Sequence, residues 1–205
     1  MTEHTAGDAA ASDDEDRPEL GGPDAVRVFG TLYDRHARGL YRYLARRVGV
    51  VADDLVAETF LVALQNRHNY VPARGTARAW LYGIATNLLR GHFRDEMRAL
   101  RTAARMGGEA RQEDDPLDTL VPERVDAVDQ ARRLAAALAK IDPGNRDALL
   151  LSSWAGMNAG EVAEALEIPV STVRTRLHRG RKQLRAELGD GRHPHRTPEG
   201  TPAHE

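Results

Sequence analysis

The chain has 205 residues, 41% of them apolar, and 29 cationic against 31 acidic side chains for a formal net charge of -2, which is enough sequence for two small hydrophobic cores. Cysteine is absent, excluding disulfides, thiolate metal sites and cysteine nucleophiles and fitting a reducing, intracellular compartment. No apolar run approaches the ~18 residues of a membrane span and the first residues show no basic-then-apolar leader, so the expected location is the cytoplasm, with no membrane insertion.

The small net charge hides a pattern. Residues 1–24 carry eight acids and one arginine, a net -7, followed by +6 over 25–100, -4 over 101–130, +4 over 131–189 and -1 over 190–205. Acidic stretches rich in Gly, Pro and Asp with little apolar surface cannot bury a core. The expected organisation is therefore a disordered acidic extension (1–24), a first helical domain (25–98), a flexible acidic linker (99–127), a second helical domain (128–189) and a disordered tail (190–205). Deletion of residues 1–24 is expected to leave the protein's binding and basal activity largely unaffected.

Apolar residues recur at spacings of three and four over 26–48, 51–67, 76–98, 128–140, 144–155, 160–167 and 171–188, and no stretch alternates as a strand does, which predicts an all-α fold. Breaks fall at RVGV, HNYVPARG, IDPGN and EIPVS, where Gly, Pro and Asn punctuate. In the second helix Val56, Phe60 and Ala63 point to a core while Asp54, Ala57, Glu58 and Leu61 share the outer side, an acidic face with an exposed leucine. The third helix is expected to bury Ala77, Leu81, Ile84 and Leu88. That leaves Trp80 and Asn87 side by side at the edge of a face that also carries Arg90 and Arg94: a stacking platform, a base-edge hydrogen-bonder and phosphate clamps, as single-stranded DNA requires.

In the second domain GEVAEALEI predicts a short helix with Val162, Ala163 and Leu166 inward, and Glu167 to Val170 predict a tight turn. IPVSTVRTRLHRGRKQLR, residues 168–185, holds six cations and no acid. Taken as a helix N-capped by Ser171, it gathers Val173, Leu177, Gly180, Leu184 and Leu188 on one face. Thr175, His178, Arg179 and Lys182 lie opposite, with Arg174 and Arg185 on the flank. This is a helix-turn-helix, whose second helix enters the major groove. The pattern fits a DNA-binding protein better than a helical adaptor. No nucleotide loop, ligand cluster or triad is present, His193-Pro194-His195 lies in a polar tail, and Ser152 and Ser153 have no partners for catalysis. No catalytic residue, metal or cofactor is expected, and no enzymatic activity.

LAKIDPGNRDALLLSSWAGMNAGEVAEALEIPVSTVRTRLHRGRKQLRAEL resembles region 4 of the extracytoplasmic-function (ECF) sigma factors, bacterial initiation subunits of RNA polymerase. ADDLVAETFLVAL followed by RAWLYGIATNLLRGHFR resembles their region 2. The resemblance implies that the protein binds core RNA polymerase (β′ and β subunits), directs it to promoters and promotes melting; many members also pair with an anti-sigma factor. It implies polymerase docking through Asp54, Glu58 and Leu61, with Ala57 where the family usually has glutamine. For the minus-ten element it implies Tyr70, Trp80, Asn87, Arg90 and Arg94, Asn87 and the loop of Tyr70 holding a flipped base, although Thr86 and Gly91 stand where arginine and aspartate are common. For the minus-thirty-five element it implies bases read by Arg174, Thr175, His178 and Arg179, with Ser171, Thr172 and Lys182 beside them, Ser171 replacing the usual glycine. A dimeric repressor using the same helix-turn-helix would leave the region 2 pattern unexplained.

Overall fold

A computed structural model of the chain describes residues 16–105 and 122–189; residues 1–15, the middle of the expected linker and the tail from 190 lie outside them. Every regular element among the described residues is helical. The first domain is built from α1 (Ala25–Val48), α2 (Ala52–Gln65) and α3 (Ala77–Arg105), and the second from α4 (Pro122–Lys140), α5 (Pro143–Trp154), α6 (Ala159–Leu166) and α7 (Val170–Gly189).

Phe29, Leu32, Leu40 and Leu44 of α1 recur at helical spacing and meet Leu55, Val56, Phe60 and Ala63 of α2 and Leu81, Ala85 and Leu89 of α3 in one core. Gly49 ends α1 in a left-handed conformation (φ 55°), its N–H donating to the Ala45 carbonyl. A glycine there avoids the Cβ strain that any other residue would carry. Asp53 and Asp54 open α2, where the helix dipole favours acids, and the Thr76 hydroxyl caps α3 by accepting from Ala79 N–H at 3.1 Å.

The expectation of a disordered N-terminal extension through residue 24 fails for residues 16–24. The Asp16 carbonyl accepts from Ala77 N–H at 2.7 Å, its carboxylate accepts from His36 Nε2 at 2.9 Å, and Arg17 donates to the Pro72 carbonyl at 2.6 Å. Leu20 is 1% exposed. One leucine and two side-chain anchors suffice to dock a short strap, and bulk charge does not reveal them.

The linker is also shorter than 99–127. The α3 helix continues to Arg105 because RDEMRALRTAAR holds good helix formers and no breaker before Gly107, and α4 begins already at Pro122, a residue suited to the first helical position.

In the second domain Leu138, Ile141, Leu149, Leu151, Met157, Val162, Val173 and Leu177 are buried. Asn158 caps α6 by accepting from Gly160 and Glu161 N–H, and Glu161 returns the bond to Asn158 N–H, a capping box. Glu167 adopts a left-handed conformation (φ 53°) to end α6, and α7 follows at once. Ser171 is thus not the N-cap: the helix already runs from Val170, with Val173 N–H bonded to the Pro169 carbonyl. Proline at 169 fixes the backbone for entry one residue earlier than the serine suggested.

The two domains pack against each other. Gly83 of α3 lies so close to α6 that a Cβ there would collide with the Ala165 carbonyl. Arg78 donates to Glu161 at 2.5 Å and to the Ala155 carbonyl, and Asp147 of α5, fully buried, accepts from Arg90 Nε at 2.7 Å and Arg47 at 3.4 Å.

Candidate polymerase and nucleic-acid interfaces

On α2 the inward set Leu55, Val56, Phe60 and Ala63 leaves Asp54, Ala57, Glu58 and Leu61 in solvent, as helical spacing predicts. Leu61 is 54% exposed. Tyr33 of α1, half exposed, lies against Phe60 with ring centroids 4.9 Å apart, adding an aromatic beside this acidic surface. Sequence reasoning missed Tyr33, because an isolated exposed tyrosine on an otherwise ordinary helix carries no spacing signal.

Around the start of α3, Tyr70 and Trp80 form a tilted pair with centroids 5.1 Å apart. Tyr70 is only 8% exposed, and its hydroxyl donates to the Gly75 carbonyl at 3.1 Å. Burial pushes its pKa up to about 12, with Asp16 adding to the effect, so it remains a neutral donor that braces the loop. Trp80 is half-buried. Both line a cleft of about 680 Å³ whose opposite wall is the helix-turn-helix turn, with Glu164, Glu167 and Pro169.

Asn87 is exposed two turns further along α3 and accepts from Arg90 at 3.2 Å. It lines a different hollow of about 530 Å³ between α2 and α3, together with Glu58, Ile84 and Arg94. The structure therefore does not gather Asn87 with Tyr70 and Trp80 in one cleft. Arg94 is exposed, whereas Arg90 is half-buried and held by Asp147. The expected inward face of α3 is also partly revised. Ala77 and Leu81 are buried, but Ile84 and Leu88 are only half-buried, and Ala79, Tyr82, Gly83 and Thr86 are buried as well. This helix has further packed surface: Tyr82 and Thr86 meet Tyr43 of α1, and Gly83 lies against Ala165 of the second domain.

On α7, Val173, Leu177 and Gly180 are buried and Leu184 half-buried, while Leu188, expected on the same face, is 44% exposed near the helix end. Ser171, Arg174, Thr175, His178, Arg179 and Lys182 are exposed and Thr172 is half-buried. Gly180 permits this packing: a Cβ would stand 3.1 Å from the Asn145 carbonyl oxygen. Among the described residues no carboxylate pairs with Arg174, Arg179 or Lys182, so their charge is presented uncompensated, as phosphate binding requires.

Two family models match in chain order, "Sigma-70 region 2" over residues 32–99 and "Sigma-70, region 4" over residues 131–184. The chain is 35% identical over 170 residues to the ECF RNA polymerase sigma factor SigE of Mycolicibacterium smegmatis, covering 80% of this chain and 63% of that protein. It is 33% identical over 163 residues to the ECF RNA polymerase sigma factor SigL of Mycobacterium tuberculosis, covering 78% of this chain and 89% of that protein. Among solved structures it resembles CnrH in complex with the cytosolic domain of CnrY, with a TM-score of 0.60 and 28% identity over 87% of this chain and all of that one. Regions 2 and 4 in this order, on an all-helical chain that presents the acidic and basic helix faces described above, place the protein in the ECF sigma factor family.

Proposed function

We propose that this sigma factor docks on core RNA polymerase, through its β′ and β subunits, with Asp54, Glu58 and Leu61. It reads a duplex minus-thirty-five element with α7 and captures the parted strand of the minus-ten element along α3. The observation that carries this reading is the α7 face: six cations and no acid between residues 168 and 185, on the second helix of a helix-turn-helix, five of them exposed and only Arg176 half-buried beside Gly144. Arg174 and Arg179 suit guanine edges and phosphates, Thr175 and His178 complete the base-reading row, and Ser171, Thr172 and Lys182 lie where backbone contacts belong. Trp80, Asn87, Arg90 and Arg94, with Tyr70 bracing the loop, supply stacking, hydrogen bonding and charge for a single strand. The sigma factor performs no bond-making itself; the polymerase makes RNA. No helix among the described residues is long and apolar enough to cross a membrane. Work beside polymerase and promoter makes the cytoplasm the expected location. CnrH was solved with the cytosolic domain of CnrY, and the RpoE of Bartonella quintana with the anti-sigma factor NepR. An anti-sigma partner is accordingly part of the reading for this chain.

Charge reversal tests the docking surface. Asp54 and Glu58 lie on the exposed side of α2, so D54K and E58K should leave the fold intact while together weakening core polymerase affinity at least about tenfold, or ~1.4 kcal/mol. Pull-down of purified core enzyme measures this, with circular dichroism as the folding control. Transcription by the reconstituted holoenzyme on fragments of the source genome then tests the whole reading; retention of the double variant at wild-type levels would remove α2 from the interface.

A further inference from the structure

We propose that Gln183, tied to Asp142 and Asn145, is a positioning residue that fixes the rotation of α7 about its own axis and so decides which side chains reach the bases of the minus-thirty-five element. This rests on the reading of α7 given above. Three observations carry it.

The first is a stripe of α7 that is neither its apolar side nor its basic one. Arg176, Gly180, Gln183 and Glu187 recur at helical spacing and lie along one face. All four meet the corner between α4 and α5. A Cβ on Gly144 would stand 3.1 Å from the Arg176 guanidinium carbon, and a Cβ on Gly180 would stand 3.1 Å from the Asn145 carbonyl oxygen. Gln183 Nε2 donates to the Asp142 carboxylate at 3.0 Å, and its Oε1 accepts from Asn145 Nδ2 at 3.2 Å. Lys140 Nζ donates to Glu187 at 2.7 Å. Apolar packing holds α7 to its domain but is non-directional, whereas hydrogen bonds weaken steeply when misaligned. The polar stripe is therefore what sets the rotation.

The second is the use made of Asp142. It stands at the N-cap of α5, where aspartate ordinarily accepts from the first backbone N–H groups, yet its side chain makes no capping bond. The carboxylate instead accepts from Gln183 and, at 3.3 Å, from the Asn145 side chain. Asn145 is 8% exposed and donates to both of the others, so the three side chains close a ring between α5 and α7.

The third is where the ring lies relative to the exposed row. Arg179 and Lys182 directly precede Gly180 and Gln183 in the helix, so any rotation of the stripe moves them with it. At the ~5 to 6 Å radius of a helix with its side chains, a rotation of about 20° carries the tips by about 2 Å. That is enough to break a base-edge hydrogen bond, while attraction to phosphates acts over a longer range and changes little. The ring thus governs base preference more than overall DNA affinity.

The test uses holoenzyme reconstituted with the full chain. A promoter found by the genomic-fragment transcription described above is randomised over its upstream element. Sequencing of the bound pool measures base preference, and binding of the unselected pool measures affinity without preference. Q183A should lower the preference about tenfold, comparable to losing one good base contact, and change unselected-pool binding by less than about twofold, since that term is set by phosphates. Q183E places a second carboxylate against Asp142 and should lower the preference similarly. Adding D142N supplies an amide donor to the new carboxylate at the same net charge, so D142N/Q183E should recover the wild-type preference. Thermal melts check the folding of each variant, and R174A is measured alongside. Wild-type preference in folded Q183A together with a loss in R174A overturns the ring and leaves the reading of α7 standing. An equal fall in preference and unselected binding for Q183A, or no recovery in D142N/Q183E, also overturns it, because a merely structural role predicts both. Wild-type preference in every variant, R174A included, removes base reading from α7 and the proposal with it.

Discussion

Leu20→Ala is expected to lower the stability of the first domain by about 2 to 5 kcal/mol, the usual cost of emptying a buried leucine site. Leu20 sits in the same buried cluster as Phe29, Leu32 and Leu40, although it lies before the first helix in a stretch of acids. For a domain of this size each kcal/mol corresponds to roughly 4 to 8 °C in Tm, so the first unfolding transition should fall by about 10 °C or more. Deleting residues 1–24 removes Leu20 together with the Asp16–His36 pair and the Arg17 bond to Pro72, and should destabilise further. Deleting residues 1–15 alone removes five acids and no large apolar residue except Met1, and should change the Tm little. Calorimetry on the three proteins separates these cases. Equal Tm values for the two truncations would show that the strap adds nothing.

The strap marks one boundary of what the sequence made legible. Faces that meet a core within their own domain were readable: on α2, Val56, Phe60 and Ala63 point in and Asp54, Glu58 and Leu61 out, and on α7, Val173, Leu177 and Gly180 point in. In each case one apolar stripe faces one partner, the situation helical periodicity reports. The α3 helix packs on more than one side, and Gly83, which meets the second domain, and Thr86, which bonds to Tyr43 of α1, are too small or too polar to register as a stripe. The missing Cβ of Gly83 is what the contact with Ala165 requires. Arg90 looked like a free phosphate clamp because its partner, Asp147, is 57 residues away in the other domain. Ser171 looked like a cap because serine favours that position, while Pro169 had already set the start of α7. Local signals located the elements; contacts between domains decided which polar residues are engaged.

The largest functional effects should separate the two DNA surfaces, because duplex reading and strand capture obey different physics. Arg174 and Arg179 are exposed on α7, and alanine at either should cost on the order of 1 to 3 kcal/mol if it contacts bases, relaxing sequence preference upstream. Holoenzyme carrying R174A or R179A should therefore form fewer closed complexes in a filter-binding or mobility assay. Trp80 and Asn87 act only once strands part. W80A and N87A should form closed complexes normally but give little permanganate reactivity at thymines near the start site, since a lost stacking contact costs ~1 to 3 kcal/mol per base, or about 5- to 150-fold in the opening equilibrium. Their distance along α3, in two different hollows, makes their contacts independent, so the double variant should lose roughly the sum of the two energies. A template with a pre-melted bubble supplies the parted strands and should partly restore transcription to W80A and N87A, while leaving R174A as defective as before. Normal opening by W80A and N87A, or equal rescue of R174A by the bubble, would move strand capture away from the first domain.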